Sequence, residues 1–350
     1  MVNFEVLSEP TKIYKRMLED IKEAKVFIYL QTYIYEPDAI GKKFRDALIK
    51  KAAEGVKVRL LLDAWGSTAD KRYFKKLIDL GGEVIYFREF RYVIRVFSKN
   101  HERNHRKLII IDDKISYIGS ANITASCLNW RELVMRLDGK VTPRFTELFM
   151  QNWESSKGLT PKKIKSVLHK GFEILPDVPS ALYRITEKKY IKLIGRAKNK
   201  IMIETPYFVP SPGIRNAFSK AARKGVKIEV IIPYISDVRI VDMVRERFLG
   251  RLYQQGIDIY YYMPRNSHSK LLIVDDKFFL LGSSNLDYRS FIYQYEINIV
   301  GENRYMIKEL KKYFYQTLAG CKAFNYNEWK SRSSFRKMPE MLISFIEGLL

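Results

Sequence analysis

One eight-residue pattern occurs twice in this chain, and it constrains the fold more than any other feature. The copies are His105-Arg106-Lys107-Leu108-Ile109-Ile110-Ile111-Asp112 and His268-Ser269-Lys270-Leu271-Leu272-Ile273-Val274-Asp275, both of the form H-x-K-x4-D. Each runs through a further Asp-Lys pair into a second apolar run, which ends in Gly119-Ser120-Ala121-Asn122 or Gly282-Ser283-Ser284-Asn285.

The apolar runs are short, rich in β-branched residues and bounded by polar turns, which reads as buried strands. Side chains alternate along a strand, so His105 shares a face with Lys107, and His268 with Lys270. With Asp113-Lys114 and Asp276-Lys277 as two-residue hairpin tips, His105 falls opposite Asn122 and Lys107 opposite Ser120. The same register pairs His268 with Asn285 and Lys270 with Ser283. Each half then builds one polar face of His, Lys, Ser and Asn. Asp112 and Asp275 lie on the other parity, where a carboxylate ties down the turn rather than reaching substrate.

Those groups suit transfer at phosphorus. Attack on a phosphodiester needs a nucleophile active near neutral pH, a proton donor for the leaving oxygen, and cationic or hydrogen-bonding groups around the remaining oxygens. Imidazole can serve the first two roles, and Lys with Asn the third. Two copies supply one His for each role. An oriented imidazole also needs a partner on its second nitrogen. Glu132, in Trp130-Arg131-Glu132-Leu133-Val134, and Glu296, in Tyr295-Glu296-Ile297-Asn298-Ile299, stand at matched positions beyond the two motifs and are assigned as the orienting carboxylates.

The duplicated pattern, with G-S-x-N after each copy, resembles the phospholipase D superfamily. The run Gly282-Ser283-Ser284-Asn285-Leu286-Asp287-Tyr288-Arg289-Ser290-Phe291, with Glu296 beyond it, is similar to the bacterial cardiolipin synthase branch. The resemblance implies a duplicated α/β fold: two α/β/α sandwich halves about a pseudo-twofold axis, with the active site between them. It also implies a phosphatidyl group carried on a covalent phosphohistidine. His105 attacks one phosphatidylglycerol while His268 protonates the departing glycerol, then activates a hydroxyl of a second phosphatidylglycerol to give cardiolipin. The two His roles are interchangeable at this level. Lys107, Lys270, Asn122 and Asn285, with Ser120 and Ser283, hold the phosphate oxygens, and the motif counts Asp112 and Asp275 with the catalytic set. No cofactor or metal is called for, because cationic side chains supply the charge compensation that magnesium gives elsewhere.

A chain of 350 residues with 47% hydrophobic content can bury a substantial core, and its formal charge of +23 points to a polyanionic partner. Nucleic acid and an anionic lipid surface satisfy that argument equally. Two isolated cysteines, Cys127 and Cys321, form no disulfide framework or zinc spacing and fit a reducing compartment. The sequence shows no signal peptide and no apolar run long enough to span a bilayer, so contact with lipid is expected from the cytoplasmic surface of the cell membrane.

Helical spacing over 11–24 (Ile13, Met17, Leu18, Ile21), strand-like runs at 25–35, 56–63 and 83–87, and helices over 39–54 and 71–80 give an α/β alternation. The order returns later: Ala197 to Pro210 answers Ala24 to Pro37, Ala221 to Ile228 answers Ala52 to Val58, and Gly256 to Tyr260 answers Gly82 to Tyr86, about 170 residues on. The expected organisation is an N-terminal half over 1–160, a Lys/Ser/Gly/Pro-rich connector over 161–180 in which Leu168 to Leu175 can begin the second unit, a C-terminal half over 181–320, and a basic-apolar tail over 321–350 suited to membrane contact or to docking on the core. His169, in the connector, reads as a surface histidine.

Other features have plainer readings beside the functional one. His101-Glu102-Arg103-Asn104-His105 matches H-E-x-x-H, but it sits in a charged stretch running into a strand rather than in an amphipathic helix, which argues against zinc. The stretch from Arg88 to Phe97 interleaves cations and aromatics, as a bilayer contact, a base-stacking surface or a solvated hairpin would. Residues 236–253 read as a packed helix with a basic outer face, or as a wall of an acyl-chain entrance. A hydrolytic phospholipase and a nuclease would use the same motif residues, and a non-catalytic binding protein would not need both copies complete.

Overall fold

The computed structural model describes residues 3–88, 102–158, 166–169, 171–180 and 182–332. Two mixed sheets carry the two motifs. The first runs Asn3–Leu7, Val134–Asp138, Ile115–Gly119, Leu108–Ile111, Phe27–Thr32, Lys57–Asp63, Glu83–Phe87. The second repeats the order as Phe172–Asp177, Gln294–Gly301, Phe278–Gly282, Leu271–Val274, Lys200–Glu204, Lys227–Pro233, Ile257–Tyr262, with Val167–His169 and Cys321–Ala323 added at its edges. In each sheet the motif strand is antiparallel to the first strand of a parallel trio.

Both motif strands are buried on both faces, which is why they read as continuous apolar runs. Leu108 and Ile110, like Leu271 and Ile273, enter a core shared by the two halves. Ile109 and Ile111 point into the first half's own outer core, and Leu272 and Val274 into the second's. Phe145, Phe149 and Trp153 of helix Thr142–Ser156, and Leu310 and Phe314 of helix Arg304–Leu318, fill the shared core. Truncating one such side chain to Ala costs about 2–5 kcal/mol. The outer helices Pro10–Glu23 and Ala39–Ala53 present Ile13, Met17, Phe44 and Leu48 to the first half's sheet. Asp38 caps the second of these by accepting the Ile40 and Gly41 N–H groups at 2.9 Å each.

The hairpins differ from expectation by one residue. Ile111 pairs with Ile115, and Val274 with Phe278, so the tips are three residues long. The pairing therefore stands one step away from His105 opposite Asn122 and Lys107 opposite Ser120, and likewise from His268 opposite Asn285. Asp112, Asp113, Asp275 and Asp276 all take left-handed backbone, with φ of 53°, 52°, 52° and 56°. Asp tolerates that region because its side chain can bond locally. The Asp112 carboxylate accepts the N–H groups of Lys25, Val26 and Phe27 at 2.7, 2.8 and 2.7 Å. Asp275 does the same for Lys198, Asn199 and Lys200 at 2.6, 2.8 and 2.8 Å. These two aspartates lock the hairpin tip to the neighbouring strand.

Within the expected connector, Phe172–Asp177 pairs with Gln294–Gly301 as Asn3–Leu7 pairs with Val134–Asp138, in line with a second unit beginning near Leu168 to Leu175. The second half thus begins inside 161–180, and His169 is half-buried in an edge strand rather than on the surface. At the other end, Cys321–Ala323 extends the second sheet and Trp329 packs on helix Arg239–Gln254, its indole donating to the Glu246 carbonyl at 2.9 Å. Residues 321–332 are therefore part of the second half. That helix buries Val241, Val244, Leu249 and Leu252, and also Arg245, whose guanidinium donates to the Pro233 carbonyl at 2.9 Å. Residues 89–101, with most of the basic-aromatic stretch and His101, and residues 333–350 of the tail lie outside the described residues.

Candidate active site

The halves are stitched together where the motifs begin. Arg103–Asn104 pairs in parallel with Gln294 and Tyr295, and Asn266–Ser267 pairs in parallel with Trp130–Arg131. The His105 N–H donates to the Tyr295 carbonyl at 2.9 Å, and the His268 N–H to the Arg131 carbonyl at 2.8 Å. Each motif histidine is thereby docked one residue from the glutamate of the opposite half. This reciprocity is what a twofold relation between equivalent units produces.

The carboxylates consequently cross over. His105 Nδ1 lies 2.9 Å from Glu296 Oε1, and His268 Nδ1 lies 3.1 and 3.2 Å from the two oxygens of Glu132. With Nδ1–H donated to a carboxylate, Nε2 of each ring carries the free lone pair. Both glutamates are fully buried, as sequence pattern alone did not say. Ser120 and Ser283, expected on the phosphate, instead donate their hydroxyls to Glu132 and Glu296. Their Oγ atoms also accept the Leu133 and Ile297 N–H groups at 2.9 Å, so the serines fix the carboxylates in place.

Lys107 and Lys270 are buried, and each ammonium donates to its own histidine's carbonyl, at 2.7 and 2.6 Å. Burial pushes the Lys107 ammonium down to about 7 and that of Lys270 to about 8. Burial, with the charges of Lys107, Lys270 and His268, holds His105 well below the usual imidazole range. His105 therefore feels Lys270 and His268 across the interface, and the two motifs form one electrostatic cluster. Burial and Lys270 also depress His268, with Glu132 working against them. Burial lifts Glu296 to about 7, whereas at Glu132 it is outweighed by His268 and Lys270, and that carboxyl sits below its ordinary range.

Asn122 and Asn285 are buried just past the second strand of each hairpin. Asn122 Oδ1 accepts the Ile34 N–H at 3.2 Å, while Asn285 Oδ1 is buried without a hydrogen-bond partner. Several site residues carry no motif signal. Tyr33 packs edge-on to His105 with centroids 5.1 Å apart, and Trp130 against His268 at 4.9 Å. Arg106, fully buried, donates to the Glu296 carbonyl at 3.0 Å and the Asp177 carbonyl at 2.9 Å. Arg289 acts electrostatically on His105, Tyr33 and Arg103. Aligning the repeats residue by residue would have flagged Arg106 and Arg289, because Ser269 and Ser126 stand at the equivalent places. Arg103–Asn104, just before His105, is extended rather than helical, and His101 of the H-E-x-x-H spacing lies outside the described residues.

This arrangement has two imidazoles held by their Nδ1 atoms, two ammonium groups and a pair of amides, and suits displacement at a phosphodiester with a covalent histidine step. The chain matches the family described as cardiolipin synthase, PLD-like domain, over residues 17–153 and again over residues 190–318. It is 33% identical to the major cardiolipin synthase of Bacillus subtilis over 99% of this chain and 75% of that one, and 30% identical to a cardiolipin synthase of Clostridium perfringens over 98% and 76%. Its fold superposes on the crystal structure of phosphatidylserine synthase from Haemophilus influenzae with a TM-score of 0.79 at 15% identity, covering 99% of this chain and 95% of that one. The chain belongs to the cardiolipin synthase family of phospholipase D-like enzymes.

Proposed function

We propose that this enzyme transfers the phosphatidyl group of one phosphatidylglycerol to a hydroxyl of a second, releasing glycerol. The observation that carries this reading is the crossed pair of buried His–Glu contacts, which leaves Nε2 of each ring unengaged by its glutamate while His268 and Lys270 act electrostatically on His105 across the halves.

His105 Nε2 attacks phosphorus, and the bond from phosphorus to the glycerol oxygen breaks as His268 delivers a proton to that oxygen. A phosphatidyl-His105 intermediate and neutral His268 remain. His268 then takes the proton from a hydroxyl of the second phosphatidylglycerol, whose oxygen forms the new bond to phosphorus as the bond to His105 breaks. Lys107, Lys270, Asn122 and Asn285 hold the phosphate oxygens. The charge distribution favours this order of roles: His105 is the more strongly depressed imidazole and the readier nucleophile, while ionised Glu132 supports an imidazolium at His268.

A formal charge of +23 favours contact with an anionic bilayer, and no helix among the described residues is long and apolar enough to cross a membrane. The reading therefore places substrate capture at the membrane surface. Incubation with phosphatidylglycerol vesicles tests it: cardiolipin and glycerol in equal amounts are expected. Phosphatidic acid as the sole product would make the enzyme a hydrolase, and plasmid nicking without lipid turnover a nuclease.

A further inference from the structure

The duplicated strands that lead into the two histidines differ at both positions, Arg103-Asn104 against Asn266-Ser267. Arg103 stands two residues before His105, and Asn266 two residues before His268. Arg103 brings a cation to the first half: its guanidinium lies 4.9 Å from the Trp65 ring centroid and 3.9 Å from the buried Asp63 carboxylate, which also accepts the N–H groups of Asn104, Trp65 and Gly66, and it feels the charge of Arg289. On the His268 side the surroundings are those of an acceptor. Asp237 is exposed, and its Oδ1 accepts from the Tyr207 hydroxyl at 3.0 Å and from Asn266 Nδ2 at 3.4 Å. That contact turns the Asn266 amide nitrogen toward the carboxylate and leaves Asn266 Oδ1 buried with no donor. Asp237 thus lies beside the strand that leads into His268, and its negative charge acts on His268, on Lys270 and on Tyr33 of the other half.

A carboxylate beside the reacting centre is a poor ligand for phosphate, because like charges repel. It is a good one for hydroxyl groups, which donate to it in charge-assisted hydrogen bonds. The glycerol headgroup of phosphatidylglycerol carries two adjacent free hydroxyls. In the reaction order above, both the departing glycerol and the incoming alcohol occupy the His268 side. We propose that Asp237 and Asn266 form the subsite for these hydroxyls, so that a polyol, rather than water or a monohydric alcohol, is selected to accept the phosphatidyl group. The assignment rests on the transphosphatidylase reading.

The test is a partition measurement on the full chain. Phosphatidylglycerol vesicles are supplied with equimolar labelled glycerol and 1-propanol, and the ratio of labelled phosphatidylglycerol to phosphatidylpropanol is read. Both products arise from the same intermediate, so the ratio is independent of how the donor binds. Wild-type protein should favour glycerol, and Asp237→Ala should cut that preference by about tenfold or more. Asp237→Asn, which keeps a neutral acceptor, should fall between them, and Asn266→Ala should give a smaller loss. Replacing 1-propanol with ethanolamine separates a polyol site from an ammonium site: a wild-type preference for ethanolamine that Asp237→Asn abolishes would overturn the polyol assignment. A glycerol preference left unchanged in both Asp237→Ala and Asn266→Ala, with melting temperatures unaltered, would overturn the subsite alone. Absence of every phosphatidyl transfer product from the wild-type protein would overturn the transphosphatidylase reading itself, and the subsite with it.

Discussion

The two halves carry the same backbone and the same catalytic letters, yet their histidines sit in different electrostatic company. His105 is surrounded by Lys107, Lys270 and Arg289, and its partner Glu296 is lifted to about 7. His268 has Asp237 nearby and a partner, Glu132, held below its ordinary range. Duplication alone would give two equal imidazoles. The neighbours break that equality: Arg289 acts on His105, whereas Asp237 and Glu132 act on His268, and the proposed division of roles rests on this difference. The frame is symmetric because packing demands it, and the charges are not because the chemistry has a direction.

The comparison is broken most sharply at the histidines. His105→Ala and His268→Ala should each lower cardiolipin formation by roughly a thousandfold or more. On a soluble phosphodiester with a phenolate leaving group, which needs little protonation, His268→Ala should recover most of its first-step rate and His105→Ala none. A quenched-flow burst measures this, and equal recovery in both would mean the roles are not divided. Next come the carboxylates. Glu132→Gln should lower kcat about a hundredfold, and Glu296→Gln nearer tenfold, because only the first carboxylate is fully ionised near neutral pH. Steady-state assays at pH 7 test this, and a reversed order would exchange the roles.

Glu296 also makes a prediction about stability. Between the ordinary glutamate value of 4.5 and about 7, folded protein retains a proton at Glu296 that unfolded protein has released. That group's contribution therefore falls as pH rises through the window. Relative to wild type, Glu296→Gln should gain in melting temperature from pH 5 to pH 7, and Glu132→Gln should not. Thermal scans across that range would show it. The smallest effect concerns a place where the halves should behave alike. Asp112→Ala and Asp275→Ala should each cost about 2 kcal/mol in urea unfolding by losing hydrogen bonds to an ionised carboxylate, with kcat changed less than severalfold. A large drop in kcat for either would return that aspartate to the catalytic set.

Much of this was legible beforehand for identifiable reasons. Strands buried on both faces leave uninterrupted apolar runs, so Leu108–Ile111 and Leu271–Val274 could be read directly, and the α/β alternation with its internal repeat followed. The hairpin register could not, because a run of Asp-Asp-Lys fits a two- or three-residue tip, and only the hydrogen bonds of Asp112 and Asp275 to the adjacent strand select the longer one. The strand Phe172–Asp177 overlaps the run Leu168 to Leu175 that can begin the second unit, but the linker-like composition around it leaves its bounds and its partner undefined. Its partner, Gln294–Gly301, lies far along the chain.

The sequence alone determined that two His-Lys units, two Asn residues and two Glu residues would be present in matching places, because covalent order and side-chain chemistry are local properties. Tertiary structure decided that each glutamate serves the other half's histidine, that Ser120 and Ser283 hold carboxylates rather than phosphate, and that Asp237 reaches the His268 side of the cleft. Those outcomes depend on which residues burial and cross-half strand pairing bring together, and on how strongly a shared low-dielectric site makes their charges act on one another.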